Sequence, residues 1–144
     1  MSTKLIRQIK YAHAAELGAY LAYEGHSKAM NLNPGQKAYF HKIKMDELEH
    51  RKILEDLLKR FKTKPSKTLN LAFSIIGRVL GVLSRITGYY LPMKVAGFME
   101  KLGTDGYVGM AKIALEKLDV GLYNVFMDMA EVESTHEEWF KRQT

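Results

Sequence analysis

The sequence predicts an all-α protein, a four-helix bundle with a long apolar helical crossover between helices 2 and 3. The composition favours helix, since 47% of the 144 residues are apolar and only three are proline. Near the N-terminus, apolar residues recur at helical spacing. Turn and capping residues divide the rest of the chain into segments of helical length. A chain of this size suits one domain, which we expect to span residues 1–144.

The first helix is predicted to run from Ser2 or Thr3 to Asn31, where apolar residues form a stripe along one side. Glu16 lies beside that stripe in the segment AHAAELGAYLAYEG. The small residues around Glu16 would let another helix approach closely. The turn sequence NLNPG, residues 31–35, ends this helix and reverses the chain.

The second helix, predicted from about Gln36 to Phe61, carries a Glu-x-x-His motif. Residues three apart lie on one face of a helix, so a carboxylate and an imidazole there can bind one transition-metal ion. A single copy is weak evidence, because so short a motif also arises by chance on a solvated helix face. The chain contains two copies, Glu47 with His50 and Glu133 with His136. Two copies on two helices favour a metal site.

Residues 63–91 form the predicted crossover. A lysine-rich connector, KRFKTKPSK, precedes the most apolar segment of the chain, TLNLAFSIIGRVLGVLSRITGYY. Arg78 and Arg85 fall near one stripe of this segment with other polar residues, which disfavours a helix that spans a bilayer. They are candidate residues for membrane contact or substrate access. Two alternatives stay open: a helix that lies on a membrane surface and a crossover helix buried in the protein.

The third bundle helix is predicted from Pro92, which suits a helix start, to about Lys117. Asp119 is a plausible N-cap for the fourth, which should reach about Arg142.

Either Glu100 or Glu116 could supply a carboxylate from the third bundle helix. In an antiparallel hairpin, two residues at the same height lie equally far from the turn. Glu100 and Glu133 meet this condition around a turn near residue 117, as Glu16 and Glu47 do around the NLNPG turn. Glu116 lies beside the turn, far from Glu133 along the helices, and is rejected as a ligand.

The resulting order is Glu, Glu-x-x-His, crossover, Glu, Glu-x-x-His, which is the ligand pattern of ferritin-like di-iron carboxylate bundles. Four carboxylates balance the charge of two divalent ions, whereas without metal they would repel one another. We therefore expect two iron ions per chain, with manganese as the alternative. The predicted ligands are Glu16, Glu47, His50, Glu100, Glu133 and His136.

At these residues the sequence resembles the demethoxyubiquinone hydroxylase family, di-iron enzymes that hydroxylate a quinone ring in ubiquinone synthesis. The family's first pattern, His-Ala-Gly-Glu-x-Gly-Ala, is similar to HAAELGA here, with Glu16 in the ligand place. Its third-helix Glu is followed seven residues later by a Tyr near the metals, as Glu100 is by Tyr107. Gly106 stands where that family usually has a His. The resemblance also links the apolar crossover to membrane and quinone access.

Two further side chains could act near the metals. Tyr107 could assist electron or proton transfer, or could pack with its hydroxyl group satisfied. His13, one turn before Glu16, could hydrogen-bond to a ligand, or be an ordinary histidine at the edge of the core.

Composition excludes several other classes. The chain has no cysteine, which excludes disulfides, thiolate metal sites and cysteine nucleophiles. Its net charge of +6 is spread along the chain without a nucleic-acid-binding module, so no nucleic-acid partner is expected. The N-terminal segment lacks an apolar signal core, so we expect an intracellular protein, cytoplasmic or peripheral on the inner face of a membrane.

The leading hypothesis is a di-iron oxidoreductase, an oxygen-dependent monooxygenase acting on a hydrophobic, quinone-like substrate. One alternative is a ferritin-like protein that reduces peroxide or stores metal. Another is a non-enzymatic protein that binds membrane surfaces through the basic connector and the apolar segment. The expected partners are dioxygen or peroxide and a hydrophobic small molecule, while membrane contact and a homodimer are left open.

Overall fold

The computed structural model describes residues 2–29 and 31–144, and these contain five α-helices and no strand. The helices are α1 (Thr3–Ala29), α2 (Pro34–Arg60), α3 (Lys67–Thr87), α4 (Tyr90–Glu116) and α5 (Val120–Arg142). The all-α prediction is confirmed, with α3 in the place of the predicted crossover. The chain divides into two compact units, the first ending at Pro92 and the second beginning at Met93. The expectation of one domain over residues 1–144 stays a prediction.

Local capping chemistry sets the helix starts. Asn33 caps α2: its side chain accepts a hydrogen bond from the Gln36 N–H at 2.9 Å, and the Gln36 side chain accepts one from the Asn33 N–H at 3.0 Å. Pro34 fits the first turn, where no N–H is needed, so α2 begins two residues before the predicted start. At the end of α1, Asn31 is not helical, and Met30 lies outside the described residues.

The last two helices, α4 and α5, begin and end close to the predicted positions. α4 starts at Tyr90 rather than Pro92, because proline is tolerated anywhere in the first turn of a helix. Asp119 is the predicted N-cap of α5, and its side chain accepts the Leu122 N–H at 2.9 Å. The α4–α5 connection therefore lies where the spacing of Glu100 and Glu133 requires it.

In the first unit, α1 packs against both α2 and α3. The α1–α2 pair is antiparallel: the rings of Tyr23 and Phe40 lie 6.0 Å apart, and the Glu24 carboxylate bonds to Lys44. α3 instead runs parallel to α1. The Tyr11 and Phe73 rings meet edge to face at 5.0 Å near one end of this contact, and glycines meet further along.

α3 is turned so that its small residues face α1. Its buried residues are Gly77, Gly81 and Ser84. A Cβ atom added to Gly77 would lie 2.2 Å from the Gly18 carbonyl oxygen, so the two backbones are in direct contact. The large apolar residues of α3 point outward and are exposed: Leu71, Ile75, Ile76, Val79, Val82, Leu83 and Ile86. The alternative of a buried crossover helix is therefore wrong.

α3 is also tied to α2 near both of its ends. Arg51 donates to the Asn70 side chain at 3.4 Å, and the Gln36 amide donates to the Tyr89 hydroxyl at 2.7 Å. α3 is therefore antiparallel to α2. It returns the chain from the end of α2 to the level at which α2 begins. Among the described helices, α3 is the one that is long and apolar enough to cross a membrane by length and composition alone.

In the second unit, α4 and α5 form an antiparallel hairpin. The Tyr107 ring stacks on Phe126 at 6.4 Å, and Phe140 packs beside Gly97 at the other end. Between these contacts the chain places Gly103 against the side chain of Glu133.

Candidate metal centre

The first unit brings together Glu16 from α1 and the Glu47–His50 pair from α2. All three side chains are buried, with 7%, 1% and 4% of their surface exposed. Each offers a ligand atom, and these atoms lie within 4.8 Å of one another. The Glu16 Oε1 to His50 Nδ1 distance is 3.8 Å. The NLNPG turn thus aligns these residues across the hairpin as the spacing argument expects. We call this set the first triad.

The second unit repeats the arrangement with Glu100 from α4 and the Glu133–His136 pair from α5. These side chains are at most 3% exposed, and their ligand atoms also lie within 4.8 Å of one another. The Glu100 Oε2 to His136 Nδ1 distance is 3.3 Å. Glu116, by contrast, is solvent-exposed at the end of α4. We call the three buried residues the second triad.

The donor chemistry of each triad fits a divalent transition-metal ion. Carboxylates are rarely buried unless they are paired or bind a metal. Two carboxylates and a neutral imidazole carry a charge of about −2, which one divalent ion balances. Atoms bonded to one ion at about 2.1 Å stand roughly 3 to 4 Å apart, and both measured oxygen-to-nitrogen distances fall in that range. Each triad can therefore hold one ion.

Gly103 leaves room for one of these carboxylates. A Cβ atom there would lie 3.2 Å from Glu133 Oε2 and 3.3 Å from its Cδ. The absence of a side chain lets the Glu133 carboxylate lie close to the backbone of α4. Sequence reasoning missed this residue, since a glycine inside a helix carries no local sign of what it contacts.

Tyr107 and His13 are both buried side chains. Tyr107 is 2% exposed and stacks on Phe126. Burial and the nearby Arg51 lower the pKa of His13 to about 4, while the Glu55 carboxylate opposes the shift. Roles for Tyr107 in electron transfer and for His13 in supporting a ligand stay predictions.

Arg78 and Arg85 are exposed on α3, which contributes no ligand to the first triad. They flank the outward apolar face rather than facing α1. Asn70 and Ser74, which the sequence analysis groups with them on one stripe, are half-exposed. The role of Arg78 and Arg85 in membrane contact or substrate access stays a prediction.

A family model described as Ubiquinone biosynthesis protein COQ7 matches residues 3–107. The chain belongs to this family. The match confirms the resemblance to the ferritin-like demethoxyubiquinone hydroxylases. Within the matched range lie the first triad, Glu100 and Tyr107, whereas α5 with Glu133 and His136 follows it. No curated protein matches the chain.

Membership of the COQ7 family implies a hydroxylase role in ubiquinone biosynthesis and a hydrophobic, quinone-like substrate. The buried carboxylate and imidazole groups could hold the metal that such chemistry uses. α5 carries the second Glu-x-x-His motif, which lies beyond the matched range. Both residues of this motif are buried, as are those of the first.

Proposed function

We propose that this COQ7-family chain is a di-iron monooxygenase that hydroxylates a quinone-like substrate with dioxygen. The observation that carries the proposal is the repeated triad, two buried carboxylates and one buried imidazole in each compact unit. We propose that the two triads together supply the ligands of a paired site. The six ligands are Glu16, Glu47, His50, Glu100, Glu133 and His136.

The protein's residues have distinct tasks in this proposal. The four carboxylates balance the metal charge, and His50 and His136 each present the Nδ1 atom that faces a carboxylate of the same triad. Burial excludes bulk water from these side chains, which strengthens every charge interaction among them. Iron, when bound, supplies the electrons and open coordination positions that activate dioxygen.

The reaction balances as a monooxygenation. A ring C–H bond of the substrate breaks, one atom of dioxygen forms the new hydroxyl group, and the other leaves as water. Two electrons and two protons come from an external two-electron reductant. The task of the protein is to hold the hydrophobic ring beside the site and to keep water out of it.

We propose that the outer face of α3 lies on a lipid bilayer that carries anionic headgroups. If α3 crossed the bilayer, α1 with its charged residues would have to enter lipid too, because the inner side of α3 is in backbone contact with α1 through Gly18 and Gly77. A helix lying in the interface keeps that contact and buries only its apolar face. Basic side chains surround this face and could contact headgroups: Lys62, Lys64, Lys67, Arg78 and Arg85.

Incorporation of labelled oxygen tests the hydroxylase. The iron-loaded protein, supplied with reductant, labelled dioxygen and a hydrophobic quinone, should yield a hydroxylated quinone that carries the label. Glu47→Ala should abolish this product, because it removes a buried ligand of the first triad. Glu49→Ala is the matched control, since Glu49 is exposed on the same helix. Label found only in water, or equal loss in both variants, would contradict the proposal.

Vesicle flotation tests the membrane surface. The parent should float with anionic vesicles more than with neutral ones, and Val79→Gln combined with Ile86→Gln should remove binding to both. Neutralising the five basic side chains should remove only the preference for anionic lipid. Unchanged flotation of the Val79 and Ile86 variant would show that α3 is not the contact.

A further inference from the structure

Arg51 connects all three helices of the first unit. It directly follows the candidate ligand His50 on α2, and its guanidinium is half-buried. Its Nη1 group donates to the backbone carbonyl oxygen of His13 on α1 and, at 3.4 Å, to the Asn70 side chain on α3. One side chain therefore holds α1 and α3 against α2 at a single height.

Arg51 lies level with the first triad along the axes of α1 and α2. His13 lies three residues before Glu16, one helical turn away, and Arg51 is the neighbour of His50. A bond between Arg51 and the His13 carbonyl fixes how far α1 can slide along α2. The same sliding motion would change the Glu16 Oε1 to His50 Nδ1 distance, which is 3.8 Å. Arg51 is therefore placed where it can fix the separation of two candidate ligands.

The charges around Arg51 favour this arrangement. The carboxylates of Glu55 and Glu16 lie near the Arg51 guanidinium and attract its positive charge. Burial and Arg51 together lower the pKa of His13 to about 4, which leaves that imidazole neutral at neutral pH. A neutral His13 ring places no second positive charge beside the Arg51 guanidinium.

We propose that Arg51 is a positioning residue for the first triad, clamping α1 to α2 through the His13 carbonyl so that Glu16 and His50 can share one ion. The inference rests on the proposed metal site. A lysine at this position would keep the charge but replace the planar guanidinium, whose Nη1 donates to both acceptors, with an ammonium group on a freely rotating stem.

Titration of metal-free protein with Co²⁺ tests this role, because the visible absorption of the bound ion reports its ligand geometry. Arg51→Gln should weaken Co²⁺ binding by roughly 10- to 100-fold, the usual effect of removing a residue that orients a ligand. Arg51→Lys, the milder variant, should bind Co²⁺ more weakly than the parent and with a changed spectrum. Arg7→Gln is the control, since Arg7 is exposed on α1, and it should match the parent.

The outcomes separate this inference from the proposed function. A Lys variant with the affinity and spectrum of the parent would overturn the positioning role, as would an Arg51→Gln variant that loses only thermal stability. A parent that binds Co²⁺ through the triad but hydroxylates nothing when loaded with iron would overturn the proposed function and leave the role of Arg51 standing. A folded parent that binds no Co²⁺ would overturn both.

Discussion

Gly77 of α3 lies directly against the backbone of Gly18 in α1, where a Cβ atom would stand 2.2 Å from the Gly18 carbonyl oxygen. The contact recurs further along the two helices, since a Cβ atom on Gly25 would lie 2.4 Å from the Gly81 Cα. No side chain fits between the helices at either point. The close approach is what holds α3 on α1 while its large apolar residues point outward.

Gly77→Ala should therefore destabilise the protein by about 1–3 kcal/mol, because the helices must move apart to admit a methyl group. Chemical denaturation of the metal-free protein measures the change. The control is Gly106→Ala, at an exposed helical position where a Cβ atom meets nothing within 4 Å. That substitution should stabilise the protein by roughly 0.5–1 kcal/mol. If both variants lose equal stability, the glycine contact is not what holds α3.

This orientation of α3 could not be predicted from the sequence. The sequence shows that one face of α3 carries small and polar residues and the other carries large apolar residues. In most globular proteins the large apolar face of a helix packs against the core. The outcome depends on glycines of α1 that are distant in sequence, such as Gly18. Helix starts were predictable because capping by Asn33 and Asp119 is local chemistry.

Glu24 should make stability depend on pH. Hydrogen bonds from Lys28 and from Lys44 lower the pKa of Glu24 from 4.5 to about 2. A folded-state pKa below the unfolded value adds stability above pH 4.5 and loses it as the pH falls toward 2. Glu24→Gln should be less stable than the parent at pH 7 by up to about 1 kcal/mol, with a smaller difference at pH 3.

Urea denaturation at several pH values measures that difference. Glu49→Gln is the control, because Glu49 is exposed and its pair with Lys52, at 3.8 Å, is exposed as well. A Glu24 effect that does not shrink as the pH falls would show that the ion pair is not its source.

His26 should contribute a second pH dependence. It is 4% exposed and its ring packs edge to face against Tyr23 and Phe40. Burial lowers the pKa of His26 from 6.5 to about 4. The unfolded chain then binds a proton that the folded chain does not bind. The free energy of unfolding therefore decreases as the pH is lowered from 6.5 to 4, by up to about 1.4 kcal/mol per pH unit.

Removing this imidazole should make the stability of the protein less dependent on pH. His26→Leu should show a shallower loss of stability between pH 6.5 and 4, whereas the exposed His41→Leu should follow the parent. Equal slopes for the parent and His26→Leu would mean that this histidine is protonated in the folded protein.

The choice of Glu100 over Glu116 is tested by two alanine substitutions. Glu100→Ala should lower metal occupancy and abolish oxygen-dependent turnover, because it removes a buried carboxylate of the second triad. Glu116→Ala should leave metal content unchanged and cost at most a few tenths of a kcal/mol. Without metal, Glu100→Ala should be at least as stable as the parent, and with metal the order should reverse.

Thermal melts of the parent and of Glu100→Ala, with and without chelator, measure their relative stability in the metal-free and the metal-loaded state. If Glu116→Ala strips the metal while Glu100→Ala keeps it, the hairpin spacing argument is wrong.

The candidate ligands were predictable because two kinds of information agree in the sequence. Glu-x-x-His is a local motif, and equal spacing from a turn aligns Glu16 with Glu47 and Glu100 with Glu133. Arg51 was not predictable, because its main acceptor is the backbone carbonyl of His13. Every residue has such a carbonyl, so the contact leaves no trace in the sequence.

The central claim is that the two triads hold a pair of iron ions. Iron analysis with Mössbauer spectroscopy of the Fe²⁺-reconstituted protein, after free iron is removed, tests it most directly. We expect two iron ions per chain, magnetically coupled after oxidation, and loss of that coupling in Glu47→Ala and in Glu133→Ala. A well-folded protein that retains no iron, or whose iron is unaffected by either substitution, would contradict it.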